Sequence, residues 1–398
     1  MFGDLDRPPA LKQPCRMTKA LHTIDRLRAR AKARMPRFAF DFIDGGAGTE
    51  MGLAENEAAL RRVKLVQRVL AGCETRSLET ELLGRRYALP FGMAPIGMAS
   101  ITWPGAERGM ARAAAKANIP YILSTAGCLS IEDAAVDAGE SFWFQLYAGR
   151  DQAMVDSLVD RADEVNASTL VLTVDVPVGS KRLRDLDNGF MLPLKPGVRM
   201  ATDLVCHPAW SLATLQAGPP RFANMERYTK VGAGAKSLAE VMSSQSSAHI
   251  DWKFLEDLRK RWPRKLVVKG VMHPEDARRI VEAGADAIAI SNHGGRQLDA
   301  SPAPIDLLPL VRAAVGPDAT VLMDGGIRGG EDIAKALVLG ADFVLLGRAV
   351  CYGVGALGPE HGPAEVIRIL ADELSRTLAM LGCDDVAKLG AGHVIPSP

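Results

Sequence analysis

The sequence lacks an excess of charge of one sign and any pairing of its cysteines. Its 398 residues contain 48 Lys and Arg against 47 Asp and Glu, so no broad electrostatic field is available to attract nucleic acid. The six cysteines include no CxxC pair, and no histidine stands at zinc-ligand spacing from them, which argues against a zinc site or a disulfide framework. We therefore expect no nucleic-acid partner, no metal and reduced thiols.

Long hydrophobic runs are also absent. No stretch approaches the roughly 18 uncharged apolar residues that a membrane-spanning helix needs, and the N-terminal stretch MFGDLDRPPALKQPCRMTK has no apolar core of a signal peptide. We expect a cytoplasmic protein, either soluble or attached peripherally to the inner face of a membrane.

The sequence instead contains short apolar runs that end in small or polar residues. Eight of them are continuous rather than alternating, as in a parallel sheet covered on both faces: ALPFGMAPIG, YILSTAG, SFWFQLYAG, STLVLTVDVP, KLVVKGV, AIAISNHGG, TVLMDGG and FVLLGRA. Helical segments between them begin at Ser, Asp or Pro and end at Gly or Asn. This alternation predicts an α/β fold, a (β/α)8 TIM barrel over residues 88–398.

Two regions depart from the strand and helix rhythm. Residues 1–87 are predicted to form an N-terminal helical cap of the same domain, and residues 178–264 a long insertion after the fourth barrel strand. Insertions of this length usually act as lids or binding loops. The insertion's Trp210, Leu212 and Phe222 fit either contact with a membrane surface or burial beneath the insertion.

Polar residues follow nearly every predicted strand, at the end where barrel enzymes carry their sites. The last two strands add glycines, Gly325 and Gly326 in MDGGIRGG and Gly347 in LLGRAV, where backbone N–H groups and nearby arginines suit a phosphate. The alternative is two ordinary glycine turns with solvated arginines. The polar residues at the strand ends are Ser124, Gln145, Tyr147, Thr173, Asp175, Lys269, Ser291, His293, Arg296, Asp324, Arg328 and Arg348.

The stretch SNHGGRQLD at residues 291–299, together with TVDVPVGSKRLRDLDNGF, FQLY, VVKGV and DGGIRGG, resembles the FMN-dependent α-hydroxy-acid dehydrogenase and oxidase family. The match runs from about Ala31 to Ile395. It implies FMN-dependent oxidation of a lactate-like or mandelate-like L-2-hydroxy acid to the 2-oxo acid, with electrons passed to a quinone or other acceptor, and a homotetramer. The alternatives are an oxidase that uses O2, an FMN barrel with a non-redox reaction, and a flavin-binding barrel whose activity is altered or lost.

The resemblance also assigns the FMN-binding residues. Ser124, Gln145 and Thr173 would bond the polar edge of the ring, and Ser291 would face the flavin. Lys269 would stabilise negative charge on the reduced ring. The ring would lie against the backbone of Ala94, Pro95, Ile96 and Gly97, and the ribityl chain and phosphate would be held by Asp324, Gly325, Gly326, Arg328, Gly347 and Arg348.

Substrate chemistry is assigned to five residues. His293 would act as the base, because imidazole titrates near working pH, with Asp175 orienting it. Arg182 and Arg296 would bind the carboxylate through their guanidinium groups, and Tyr147 would bond the substrate hydroxyl. Without the resemblance, the alternatives are a structural histidine, the commoner case for a lone histidine at a strand end, rim salt bridges and a core aromatic.

Three positions depart from the pattern of the family. Phe42 stands where relatives have a tyrosine that contacts the carboxylate, so one hydrogen bond is absent. Ala126 replaces a bulky aromatic, which leaves room for a larger or aromatic side chain. Gly97 stands where oxidases commonly have alanine, which favours a dehydrogenase.

Overall fold

The computed structural model describes residues 21–190, 197–228 and 247–395. Parts of the predicted cap (1–20), of the insertion (191–196 and 229–246) and the last three residues lie outside the described residues. Eight parallel strands close into a barrel in the order β10-β3-β4-β5-β6-β7-β8-β9. Each predicted apolar run supplies one strand, and the TIM barrel is confirmed. The barrel strands are β3 Phe91–Met93, β4 Tyr121–Ser124, β5 Phe142–Leu146, β6 Thr169–Thr173, β7 Lys265–Val271, β8 Ala287–Ile290, β9 Thr320–Asp324 and β10 Phe343–Leu346.

A β-hairpin closes the N-terminal end of the barrel. It consists of β1 Thr80–Leu82 and β2 Arg85–Tyr87, which pair antiparallel. Its Leu82 and Tyr87 pack with Trp143 and Phe343 in the barrel interior, and Trp143 Nε1 donates to the Tyr87 hydroxyl at 3.3 Å. The sequence predicted only helices before residue 88, so these two strands differ from the prediction. Two short strands separated by Leu83 and Gly84, both at positive φ, carry too little periodicity to be recognised.

Helices cover the outside of the barrel and begin where side chains cap them. Ser130, Asp151 and Asp251 accept hydrogen bonds from backbone N–H groups in the first turns of α5, α6 and α10, as expected at helix N-termini. The helices that follow the eight strands are α4 Ala106–Ala117, α5 Ile131–Ala138, α6 Gln152–Glu164, α10 Trp252–Arg261, α11 Pro274–Glu282, α12 Pro304–Val315, α13 Gly330–Val338 and α15 Gly362–Met380.

The remaining helices belong to the N-terminal region, the insertion and the loop after β10. They are α1 Ile24–Arg34, α2 Arg37–Asp44, α3 Met51–Arg62, α7 Leu183–Asp187, α8 Val198–Cys206, α9 Pro208–Ala217 and α14 Arg348–Leu357. In the insertion, Trp210 and Phe222 are buried, and Trp210 Nε1 donates to the Ile101 carbonyl at 3.1 Å. Leu212 is exposed. None of the helices in the described parts of the chain has the length and apolar character to cross a bilayer.

Candidate active site

A cavity of about 580 Å³ opens at the C-terminal ends of the barrel strands. Most of the predicted site residues line it: Ala94, Pro95, Ile96, Gly97, Tyr147, Arg182, Lys269, His293, Arg296, Asp324, Gly325, Gly326, Arg328, Gly347 and Arg348. The others lie at strand ends or in the loops that follow: Ser124, Gln145, Thr173 and Ser291 are buried, and Asp175 is partly buried. The fold therefore gathers residues that are far apart in the sequence at one mouth.

The segment after β8 turns sharply and directs His293 into the cavity. His293, Gly294 and Gly295 have φ values of 57°, 66° and 71°, the left-handed region that glycine tolerates best. A Cβ on Gly295 would lie 2.5 Å from the backbone nitrogen of Leu53, so α3 can approach only because no side chain is present. Ser291 Oγ accepts from the His293 N–H at 3.0 Å and from Lys269 Nζ at 2.7 Å. Ser291 therefore links the backbone of His293 to the Lys269 ammonium group.

His293 lies between a carboxylate and a phenol. Its Nδ1 is 2.9 Å from Asp175 Oδ1, and its Nε2 is 3.4 Å from the Tyr147 hydroxyl. Burial raises the pKa of Asp175, but the nearby His293 and Lys269 outweigh it, so that this pKa lies below its usual value. Burial raises the pKa of Tyr147 well above the usual phenol range. An ionised Asp175 orients the Nδ1–H toward itself and leaves Nε2 free to accept a proton.

Two arginines and an aromatic ring form the neighbouring part of the cavity. The guanidinium carbons of Arg182 and Arg296 lie 5.2 and 5.4 Å from the centre of the Phe42 ring, within cation–π distance. Arg182 pairs with Asp185 at 3.3 Å, whereas Arg296 donates to the Gly45 carbonyl at 2.8 Å and has no ion pair with a carboxylate among the described residues. Burial, and then the charge of Arg182, lowers the pKa of Arg296 well below its usual value. Within the part of the chain that the structure describes, the two arginines together have one carboxylate partner, Asp185, and a bound substrate carboxylate would supply a second negative charge.

The rest of this wall is apolar. Phe190 meets Phe42 edge to face at a centroid distance of 5.1 Å. A Cβ placed on Gly97 would lie 3.3 Å from the Cβ of Ala126, so the two small residues are adjacent. An aromatic ring fits this combination of aromatic and small side chains. The apolar lining comprises Phe42, Met98, Ala126, Val176, Phe190 and Phe222.

The strand ends carry buried polar atoms that the described residues leave without hydrogen-bond partners. They are Gln145 Nε2, Thr173 Oγ1, Asp175 Oδ2 and Asp324 Oδ1. Lys269 Nζ lies 3.0 Å from Asp324 Oδ2. Burial lowers the pKa of Lys269, but Asp324 and Asp175 outweigh it and raise that pKa, which keeps a fixed cation beside them. Unpaired buried donors and acceptors are costly, so this group fits the polar edge of a flavin ring.

The ends of β9 and β10 provide the predicted phosphate corner. Gly325 and Gly326 have φ values of 102° and 83°, and a Cβ added to Gly347 would meet nothing within 4 Å, so backbone amides are open to a ligand. Arg328 lines the cavity and pairs with Glu57 at 3.3 Å. The glycine backbone at these two strand ends and the guanidinium group of Arg328 both suit a phosphate.

Arg348 lines the cavity, as the sequence predicted, and its side chain also bonds the backbone. Its Nε, Nη1 and Nη2 donate to the carbonyls of Ile43, Gly294 and Gly45 at 3.0, 2.8 and 2.8 Å. The side chain therefore ties the loop after α2 to the turn after β8. Its role in phosphate binding stays a prediction.

Comparison with known proteins decides the family. The sequence profile of FMN-dependent dehydrogenases matches residues 31–396. The chain belongs to this FMN-dependent dehydrogenase family. It is 39% identical to (S)-mandelate dehydrogenase of Pseudomonas putida over 95% of both chains, and 37% identical to L-lactate dehydrogenase of Pseudomonas syringae pv. syringae (strain B728a) over 92% of this chain and 97% of that one. A crystal structure described as monotopic membrane protein (S)-mandelate dehydrogenase superposes with a TM-score of 0.91 at 38% identity, covering 95% of this chain and 100% of that one.

Four residues of this FMN-dependent dehydrogenase were missed or given no separate role from sequence. Asp185 bonds Arg182, and the i,i+3 spacing in a helix could have indicated it. Asn56 and Asn292 exchange buried side-chain hydrogen bonds of 2.9 and 2.7 Å, a contact with no signal in the sequence. Asp299, at the end of SNHGGRQLD, accepts from the Thr49 and Gly52 N–H groups at 2.7 and 3.1 Å and so supports the start of α3.

Proposed function

We propose that this FMN-dependent dehydrogenase oxidises an L-2-hydroxy acid with an aromatic or similarly bulky side chain to the 2-oxo acid, with His293 as the base. The observation that carries the proposal is that a proton acceptor and a carboxylate-binding pair share one cavity. His293 Nε2 and the Tyr147 hydroxyl face the same space as the Arg182 and Arg296 guanidinium groups, and the Phe42 ring lies beside both arginines.

The geometry supports a distinct role for each side chain. The substrate carboxylate lies between Arg182 and Arg296, which places the α-hydroxyl near Tyr147. His293 Nε2 accepts a proton from the substrate, and Asp175 stabilises the resulting imidazolium. When bound, FMN would supply the acceptor for the two electrons and the second proton that the hydroxy acid loses. The proton transfer and the carboxylate binding are thus performed by side chains of this chain.

The cofactor fits the residues that surround the cavity. The unpaired Gln145 and Thr173 atoms would bond the ring's polar edge, and the cation of Lys269 would offset negative charge there. Gly325, Gly326, Arg328 and the backbone at Gly347 and Arg348 would hold the phosphate. The ring would lie along the backbone of residues 94–97.

The size of the substrate side chain follows from the apolar wall. Ala126, Phe42 and Phe190 leave room for a ring and offer aromatic edges to it. The similar (S)-mandelate dehydrogenase is named for such a substrate. We propose a quinone or another carrier as the electron acceptor rather than O2, which agrees with Gly97 and with the dehydrogenase names of both relatives.

Anaerobic flavin reduction tests the reaction. Purified protein should show a flavin spectrum that bleaches with L-mandelate, less rapidly with L-lactate, and not with D-mandelate. His293→Ala should keep the flavin spectrum and lose bleaching. A wild-type flavin that no member of a broad L-2-hydroxy-acid panel reduces would refute the proposed reaction. Reoxidation by a quinone analogue should exceed reoxidation by air.

A second proposal concerns attachment to a membrane surface. Val198 and Val205 on α8 and Leu212 and Leu215 on α9 are 83%, 79%, 56% and 81% exposed, an apolar group that favours an interface. The similar crystal structure is described as a monotopic membrane protein. Vesicle flotation should recover wild-type protein and lose the Val205→Glu/Leu215→Glu variant. Leu310→Glu on α12, 57% exposed in wild type, is the matched control and should float as wild type does; equal flotation of all three would refute the proposal.

The homotetramer implied by the family resemblance stays a prediction. Sedimentation equilibrium of the purified holoprotein would test it.

A further inference from the structure

A buried carboxylate, Asp44 at the end of α2, joins three helices. Its oxygens accept from Arg28 of α1 at 2.6 and 2.9 Å, from Arg184 Nη1 of α7 at 2.8 Å and from the Tyr352 hydroxyl of α14 at 2.7 Å. Burial raises the pKa of Asp44, but the Arg28 and Tyr352 hydrogen bonds outweigh it and hold that pKa well below its usual range. Asp44 is therefore an ionised hub between the cap, the insertion and the helix that begins at the phosphate corner.

The helix α7 depends on such contacts for its position. It has only five residues and begins immediately after Arg182, and a helix this short has no stability of its own. Asn188 Nδ2 donates to Asp41 at 2.8 Å, and the Gly48 N–H donates to the Lys181 carbonyl at 2.9 Å. Arg184 adds the charged contacts of α7 with the cap, to Asp44, to Glu50 and, at 3.6 Å, to Asp41. The position of Arg182 therefore depends on these contacts between α7 and the cap.

Removing Arg184 should leave the hub folded. Asp44 keeps its bonds to Arg28 and Tyr352, and Glu50 Oε1 still accepts from the Gly46 N–H at 3.0 Å. Neither carboxylate would be left buried without a partner, which is the costly case. The change therefore acts on the placement of α7 more than on the fold.

We propose that Arg184 and Asp44 are positioning residues for substrate binding, because the ion pair between the partly exposed Arg184 and the buried Asp44 holds α7 so that Arg182 meets the substrate carboxylate. The Tyr352 hydroxyl bonds the same carboxylate and so connects it to α14. Asp44 therefore supports both the carboxylate clamp, formed by Arg182 and Arg296, and the phosphate corner at the start of α14. This inference rests on the proposed function, in which Arg182 binds the substrate. Neither Arg184 nor Asp44 touches the reacting atoms.

The test is a double-mutant cycle between Arg184→Met and Arg182→Met. Arg184→Met should keep its flavin content and most of its kcat while the KM for L-mandelate rises about tenfold, because a clamp equally engaged in ground and transition states affects KM. In an Arg182→Met background the same change should raise KM by less than about twofold, since residues that act through one another are not additive. A multiplicative rise would show that Arg184 acts independently of Arg182 and would overturn the proposal, as would an unchanged KM in the single variant.

A matched control and a conservative variant separate positioning from general damage. Arg278, exposed on α11, also contacts two carboxylates, Glu275 and Glu282, and Arg278→Met should leave KM unchanged. Arg184→Lys should give a KM between those of wild type and Arg184→Met. If Arg184→Met does not fold, Arg184→Lys decides alone, and a wild-type KM in that variant overturns the proposal.

Calorimetric titration with phenylglyoxylate, a 2-oxo acid, provides a readout other than turnover. Its dissociation constant should rise about tenfold in Arg184→Met and stay unchanged in Arg278→Met. If no hydroxy acid reduces wild-type flavin, the proposed reaction fails, while this titration still tests whether Arg184 supports carboxylate binding. An equal dissociation constant in wild type and Arg184→Met would overturn the positioning role.

Discussion

His293 Nδ1 lies 2.9 Å from Asp175 Oδ1, and the two residues come from loops after different strands, β8 and β6. The contact orients the imidazole at a backbone position with positive φ. Its other nitrogen is thereby directed at Tyr147. In the proposed reaction, His293 is the proton acceptor and the charge of Asp175 stabilises it once protonated.

Asp175→Asn should retain flavin and slow its reduction by L-mandelate about 10²-fold to 10³-fold. The amide neither fixes the same tautomer nor stabilises imidazolium, and base catalysis is typically worth about 10²–10⁴. Stopped-flow absorbance of the flavin under anaerobic conditions measures this rate. Thr173→Val, at the end of the same strand two residues before Asp175, should alter flavin affinity more than the reduction rate. A wild-type rate in Asp175→Asn would contradict the role given to the carboxylate.

Asp175 should also contribute to acid stability. Its native pKa lies below the unfolded value of 3.8 because the charges of His293 and Lys269 outweigh burial. The carboxylate therefore stabilises the fold at pH values above 3.8, and this contribution is lost as the pH falls through the native pKa. Urea unfolding of wild type and Asp175→Asn at pH 7 and pH 3 should show a smaller difference in free energy of unfolding at pH 3; an equal difference at both would contradict the shift.

Phe42→Tyr should lower the KM for L-2-hydroxy acids about tenfold or more. The added hydroxyl would lie on the ring beside Arg182 and Arg296 and give the substrate carboxylate one more hydrogen bond, worth about 1.5–3 kcal/mol to a charged group. Steady-state kinetics with an artificial acceptor measure the change. Phe38→Tyr, one turn earlier on α2 and packed on Phe190 and Trp210, is the control and should leave KM unchanged. A higher KM in Phe42→Tyr would show that the ring, not the missing hydroxyl, serves the clamp.

Ala126→Phe should narrow the substrate range. A ring at this position fills the space beside Gly97, so kcat/KM for L-mandelate should fall at least about tenfold relative to that for L-lactate, the order of discrimination that pocket size supplies. Ala126→Ser, close in volume, should keep the wild-type ratio. Loss of both substrates to the same extent would place the substrate side chain elsewhere in the cavity.

Cys351 should resist alkylation although it lines the cavity. Burial raises the pKa of its thiol to about 12, so at pH 8 only about one thiol in ten thousand is the reactive thiolate. Peptide mass spectrometry after iodoacetamide treatment should find Cys206, which is exposed, modified in native protein and Cys351 modified only after denaturation. Rapid native modification of Cys351 would mean that the buried environment opens in solution.

The strand ends were predictable because a parallel barrel brings the residues after its strands to one face. Lys269, His293 and Asp324 follow from that rule and from the periodicity of the apolar runs. Arg182 does not, because it lies in the insertion, and only the family resemblance indicated it. Asp44 and Asn56 have partners that are 236 or more residues away in Tyr352 and Asn292, so tertiary placement alone identifies them.

The β1–β2 hairpin closes one end of the barrel, and the proposed site lies at the other. We expect the two ends to tolerate different substitutions. Leu82, Tyr87 and Trp143 seal the end remote from His293, where stability rather than chemistry is at stake. Substitutions there can change thermal tolerance while the catalytic constants stay the same. Heat resistance can therefore be changed by substitutions at the hairpin end, and substrate choice by substitutions at the C-terminal ends of the strands, each independently of the other.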